Sequence, residues 1–202
     1  MNKHMIQKIL SFSKMLLFIL LLFLSSCQTK NPEVIIKTEL GNIKVELYTG
    51  AAPLTVSNFL KYADEGAYSD ITFYRVVRPD NTTNPVSIDV IQGGMDEKIN
   101  VDSLPPIPHE STDRTGIRHK DGVISMARYG PGTATSEFFI CVGDQPELDF
   151  GGKRNPDGFG FAAFGKVTEG MDVIREIYKG KTEGDFQRLV KPIRIIEIQR
   201  IK

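Results

Sequence analysis

Hydrophobic and polar positions fall into three kinds of pattern along this chain. The first is an unbroken apolar run, Met15–Leu24, preceded by Lys3, Lys8 and Lys14. Ten residues are too few to cross a hydrocarbon core of about 30 Å as a stable helix, but they suit the apolar region of a signal peptide. The second pattern is β-branched and alternating. Glu33–Leu40 and Asn42–Tyr48 predict two strands joined at Gly41-Asn42, a hairpin signal. Further strands are predicted at Ile71–Arg78, Ser87–Gln92, Gly122–Ala127, Glu137–Val142, Phe161–Val167 and Pro192–Ile201. The third pattern is helical. Val56, Phe59, Leu60 and Ala63 form an apolar stripe between Pro53 and Gly66, and Met171, Ile174, Ile177 and Tyr178 form another ending at Gly180. Many short strands with two helices predict a barrel, because closure removes exposed strand edges. Turn formers crowd Pro79–Pro85 and Gly143–Gly160, which predicts two loops extending from that frame.

Composition changes this picture only at the N-terminus. Hydrophobic residues at 41% and charged residues at 25% are ordinary for a globular domain. The formal net charge is zero. Residues 1–26 hold three lysines and no acid, so the remainder has 22 basic against 25 acidic residues, a net of about −3. No cluster of Lys and Arg suggests a nucleic-acid partner. His4, His109 and His119 have no ligand spacing, and neither a metal nor a cofactor is expected. Two cysteines are too few for a disulfide framework. Cys141 lies in an apolar run and reads as a small buried hydrophobe. Cys27 follows Leu24-Ser25-Ser26, which resembles the lipobox of bacterial lipoproteins. That resemblance implies removal of residues 1–26, lipidation of Cys27, a short tether over 27–32, and a domain over 33–202 held in the bacterial cell envelope. More than one acyl chain would give a stable membrane anchor.

Five stretches carry the chemistry. In order they are Ile71-Thr72-Phe73-Tyr74-Arg75-Val76-Val77, Val90-Ile91-Gln92-Gly93-Gly94, Gly122-Val123-Ile124-Ser125-Met126-Ala127-Arg128, Ser136-Glu137-Phe138-Phe139-Ile140 and Phe161-Ala162-Ala163-Phe164-Gly165-Lys166-Val167. Together they resemble the cyclophilin family of peptidyl-prolyl cis–trans isomerases, over about Val34–Ile201. The resemblance implies a mainly β fold, a closed eight-stranded antiparallel barrel capped by two helices. It implies that Arg75 is the principal catalytic residue and that Gln92 binds substrate backbone and steadies the arginine. Phe139 matches the floor of the proline pocket and Leu148 its wall. Ala127 and Arg128 match the segment whose backbone pairs with an extended substrate. Because adjacent strand residues face opposite ways, Phe138 is expected in the barrel core and Phe139 in the pocket.

The chemistry suits those residue types. Rotation about an X–Pro bond breaks amide conjugation across a barrier of roughly 18–20 kcal/mol. In the twisted state the prolyl nitrogen regains a lone pair, which a fixed donor stabilises more than it stabilises either planar state. A guanidinium stays charged and offers a rigid fork of donors.

The sequence departs from the family pattern at several positions. Asp89 and Val90 stand where a phenylalanine and a methionine are usual, and another apolar residue could fill that gap. Phe161 replaces a histidine, Glu137 replaces a glutamine and so would add negative charge near the groove, and Glu147 replaces a tryptophan that helps bind cyclosporin. The expected partners are therefore proline-containing polypeptides, with a monomeric enzyme that binds cyclosporin weakly. Two other readings compete. One is a binding module that holds proline-containing segments without turnover, suggested by Asp89 and Phe161, and the other is a purely structural envelope protein.

Overall fold

The computed structural model describes residues 30–95 and 103–201. The expected signal segment, the lipobox and Cys27 lie outside the described residues. Within them the strands are β1 (Glu33–Thr38), β2 (Gly41–Leu47), β3 (Ile71–Val77), β4 (Val90–Gly94), β5 (Val123–Met126), β6 (Phe138–Cys141), β7 (Ala162–Glu169), β8 (Thr182–Glu183) and β9 (Arg188–Arg200). The helices are α1 (Pro53–Asp64), α2 (Thr112–Thr115) and α3 (Met171–Tyr178). Strands run in the order β1-β2-β7-β5-β6-β4-β3-β9, and β1 pairs back onto β9. These eight strands close an antiparallel barrel, as the resemblance implied, while the two-residue β8 extends from β9 outside the ring.

Period-two patterning sets which way each strand faces. In β1 and β2 the residues Val34, Ile36, Ile43, Val45 and Leu47 are fully buried, and Lys37, Lys44 and Glu46 alternate with them toward solvent. Helix α1 contributes Phe59, whose ring lies 5.2 Å from Tyr68, 5.5 Å from Phe138 and 5.2 Å from Phe164. Ile174 and Ile177 of α3 enter the same core. The N-terminus of α1 is capped from far along the chain. The Glu110 carboxylate accepts from the N–H groups of Leu54 and Thr55 at 3.2 and 2.8 Å, placing an anion where helix N–H groups lack partners.

Strand β6 serves two apolar regions at once, and all four of its residues are buried. Phe138 and Ile140 face the barrel core, whereas Phe139 and Cys141 join Val77, Ile88, Val90 and Leu148 in a second cluster on the outer face. The candidate site lies there.

The elements differ from expectation in a few places. The first hairpin turns at Glu39-Leu40, before Gly41, because Thr38 Oγ1 accepts from the N–H groups of Leu40 and Gly41, both at 3.1 Å. The strand expected from Ser87 starts only at Val90. Its alternating first residues are extended chain lying on the barrel, with Ile88 turned into the outer cluster. Helix α2 is a single turn closed by left-handed Gly116, too short to leave a periodic signature.

Candidate active site

Pairing register assembles the site from residues far apart in sequence. Arg75 of β3 sits opposite Gln92 of β4, Gln92 opposite Phe139 of β6, and Phe139 opposite Ser125 of β5. Strict alternation would turn Arg75 inward with Phe73. A bulge between Phe73 and Arg75 prevents this and places both Tyr74 and Arg75 outward, while Val76 returns to the core.

Neutral oxygens hold the Arg75 guanidinium on three sides. Nε donates to Phe186 O at 3.0 Å, Nη1 to Gln92 Oε1 at 2.9 Å and Nη2 to Gln187 Oε1 at 2.8 Å. Burial lowers its pKa from the usual 12.5, with Tyr74 acting in the opposite sense and Arg188 in the same one. An arginine has five N–H donors, so one hydrogen on each Nη remains for a ligand. Among the described residues no carboxylate pairs with Arg75, and its charge is not neutralised.

Behind Gln92 runs a relay. Gln92 Nε2 donates to Tyr74 Oη at 2.8 Å, and Tyr74 Oη donates to Glu137 Oε2 at 2.6 Å. Glu137 is buried, and its other oxygen accepts from Met95 N–H at 2.5 Å. Gly94 permits this packing, since a Cβ there would lie 2.2 Å from the carboxylate.

Beside the guanidinium opens a cavity of about 240 Å³ lined by Ile88, Val90, Phe139, Leu148 and Phe161, with Arg75 and Gln92 at one side. Phe161 meets Phe139 edge-on, centroids 5.3 Å apart, just before β7 begins. The floor is braced from below. His119 stacks on Phe139 at 6.0 Å, its Nδ1 lies 2.8 Å from Asp149 Oδ1, and its Nε2 lies 3.0 Å from Ser125 Oγ. Burial would raise the Asp149 pKa, but the hydrogen bonds from His119 outweigh it and hold the carboxyl below its usual value. The Asp–His–Ser order invites comparison with a hydrolase triad. Ser125 is fully buried and His119 is 1% exposed, so no substrate reaches them, and the three groups act as a support.

This arrangement is a fixed guanidinium, without a carboxylate partner among the described residues, beside a pocket that combines apolar rings with polar side chains, on the outside of a closed barrel. The family model described as "Cyclophilin type peptidyl-prolyl cis-trans isomerase/CLD" matches residues 33–200. The chain is a cyclophilin.

Its relatives include a peptidyl-prolyl cis-trans isomerase of Acinetobacter baylyi, 35% identical over 88% of this chain and 90% of that protein. Another, from Streptomyces antibioticus, is 37% identical over 82% of this chain and 96% of its own length. Among solved structures, a cyclophilin-type isomerase of Cryptosporidium parvum has the same fold, with a TM-score of 0.69 at 22% identity over 85% of this chain and 98% of its own. The same protein has been solved in the presence of the dipeptide Ala-Pro, with a TM-score of 0.68.

In this cyclophilin Arg75, Gln92, Val90, Phe139, Leu148, Phe161 and Ala127 all line one cavity. One residue expected to meet substrate is placed differently, and Arg128 lines the cavity within the segment expected to pair through its backbone. The Glu137 side chain lies behind Tyr74 and outside the cavity lining, so its charge serves the relay. The Arg128 side chain is 1% exposed. It donates from Nη1 and Nη2 to Asp157 at 2.7 and 2.9 Å and from Nε to Gly160 O at 2.8 Å, over the Phe161 ring. Its backbone N–H finds no acceptor among the described residues and remains open to an extended peptide. Asp89 is turned away and bound by Tyr178 Oη, and Ile88 fills the apolar gap.

Residue-type patterns did not point to Gln187, His119, Asp149, Arg154 or Asn155. The histidine and the aspartate lie thirty positions apart, and no local spacing pairs them.

Proposed function

We propose that this cyclophilin accelerates cis–trans isomerisation of X–Pro bonds in exported or envelope proteins, from a lipid anchor at Cys27. One observation carries the catalytic part: a guanidinium without a carboxylate partner among the described residues, fixed at three donors, with two N–H groups left beside a pocket that holds Phe139, Leu148 and Phe161. The prolyl ring seats on Phe139 between Leu148, Phe161, Val90 and Ile88, while the flanking backbone lies along Arg128 N–H and Gln92. As the amide twists, its nitrogen pyramidalises and the lone pair accepts from Arg75. Planar amide nitrogen has no such lone pair, so the interaction favours the transition state alone. A donor already in place and shielded from water contributes on the order of 10²–10³ in rate. No bond is made or broken, and no proton is transferred.

A holding module without turnover finds little support in this geometry. Asp89, which suggested it, faces Tyr178, and Phe161 packs on the pocket floor. Arg75→Ala separates the two readings. Cis-to-trans conversion of a proline tetrapeptide by residues 28–202 is expected to fall at least 100-fold, with peptide binding largely kept. Conversion at the parent rate by a folded Arg75→Ala protein would defeat the catalytic assignment.

The compartment rests on the sequence: a basic start, a ten-residue apolar run and Leu24-Ser25-Ser26-Cys27. A slow isomerisation, tens to hundreds of seconds when uncatalysed, limits folding in any compartment without ATP. Incorporation of labelled palmitate into the full-length chain, lost in Cys27→Ser, is the expected result. An unlabelled, soluble chain would remove the anchor.

A further inference from the structure

The loop before β7 brings two further polar side chains to the cavity, Arg154 and Asn155. Arg154 is half-buried and spends Nη1 on Val86 O at 2.6 Å. Its remaining donors have no partner among the described residues. Asn155 Nδ2 is buried, also without an acceptor. An unsatisfied buried donor costs free energy, and it marks a place where a ligand acceptor would be welcome.

The charge balance of the cavity points the same way. Among the described residues its lining holds three arginines and no Asp or Glu. Arg128 is neutralised by Asp157. Among the described residues no carboxylate neutralises Arg75 or Arg154, and burial together with the charge of Arg75 lowers the Arg154 pKa. Nearby carboxylates are committed elsewhere: Asp149 to His119, Asp89 to Tyr178, Glu137 to Tyr74 and Met95, and Glu147 to Lys153 N–H. Two like charges facing one small cavity repel each other until an anion enters.

We propose that Arg154 and Asn155 form a carboxylate subsite, and that this cyclophilin selects proline segments carrying Asp or Glu on a residue next to the proline. The proposal rests on the reading that the cavity takes the prolyl ring. Arg75 remains aimed at the prolyl nitrogen, while Arg154 takes the side-chain carboxylate and Asn155, whose Nδ2 is buried in the free protein, donates to a second oxygen once its amide turns toward the cavity.

The test uses C-terminally amidated peptides, so that only side chains carry carboxylate. Glu is compared with Gln, its neutral isostere, once before the proline and once after it. Isomerisation is measured by exchange NMR and binding by calorimetry, each expressed as the Glu-to-Gln ratio within one protein, so that any general loss of activity cancels. The parent is expected to favour Glu by about five- to tenfold in at least one series, and less in high salt. The ratio should fall to about one in Arg154→Gln, invert in Arg154→Glu, survive in part in Arg154→Lys and shrink in Asn155→Ala. A ratio near one in the parent, or one unchanged in Arg154→Gln, overturns the subsite even if every peptide is turned over. If no peptide is turned over, the isomerase reading fails, and the calorimetric ratio still decides the subsite.

Discussion

Removing a single oxygen, in Tyr74→Phe, tests how the Arg75 guanidinium is held. Tyr74 Oη accepts from Gln92 Nε2 at 2.8 Å and donates to the buried Glu137 carboxylate at 2.6 Å. Phenylalanine keeps the ring, including its contact with Arg188, whose guanidinium carbon lies 5.0 Å from the centroid. Hydrogen bonds to buried charged groups contribute about 1.5–3 kcal/mol. Glu137 keeps Met95 N–H, so a loss of about 2 kcal/mol is expected. For a domain of this size that lowers Tm by about 4–8 °C. Activity should respond much less. Gln92 loses one anchor, but Arg75 keeps Phe186 O and Gln187 Oε1, so kcat/KM is expected to fall about three- to tenfold, near 1 kcal/mol of barrier. Urea and thermal unfolding read the first number, and tetrapeptide isomerisation the second. A Tm within 1 °C of the parent's (on the order of 0.3 kcal/mol) would refute the bridging role of the hydroxyl. A loss of turnover as large as that of Arg75→Ala would refute the claim that three independent acceptors fix the guanidinium.

Two further predictions address the loops around the site. Gln187 sits at a φ of 52°, a left-handed conformation that costs a non-glycine residue about 1–2 kcal/mol. Gln187→Gly should therefore lose little stability in urea unfolding, yet lower kcat/KM about tenfold because Arg75 Nη2 loses its acceptor. Equal turnover would remove Gln187 from the site. Asp157 is pulled down to a pKa of about 2 by its hydrogen bonds from Arg128. A depressed carboxyl stabilises the fold fully above its unfolded pKa of 3.8, and that contribution disappears as pH falls through about 2. Asp157→Asn should thus be less stable than the parent at pH 7 and equal to it near pH 2. A gap of the same size at both pH values would contradict the ion-pair account.

Much of the barrel is legible in the sequence because burial alternates strictly along β1 and β2, and because Phe59 and Ile174 lie on clear helical stripes. The same rule separates Phe138 from Phe139. It fails at Arg75, where only the bulge after Phe73 turns the side chain outward, and bulges leave no mark in a two-letter pattern. It fails again at Ser87–Asp89, since an extended loop lying on an apolar surface alternates as a strand does. Glu137 illustrates a different limit. A carboxylate next to pocket residues suggests contact with substrate, and only the glycine at 94 and the hydroxyl at 74 show that it packs behind them. Gln187, Arg154 and Asn155 come from loops, where side-chain direction follows backbone turns that periodicity does not encode.

The barrel closes where β1 pairs with β9, residues some 160 positions apart, with Ile201 N–H donating to Glu33 O at 2.8 Å. Until β9 arrives, the growing sheet has two open edges, and Arg75 lacks both Gln187 and its flanking strand. Such long-range pairing slows folding, because loop closure must precede the contacts that reward it. A chain emerging in order from a ribosome or a translocation channel therefore gains Arg75 in its final position only after nearly all of the domain has passed through. Joining 201 to 33 by a short linker and opening the chain at the Gly130–Gly132 turn, beside the exposed Pro131, would change that order while keeping every pairing, making the moment of assembly independent of the finished architecture.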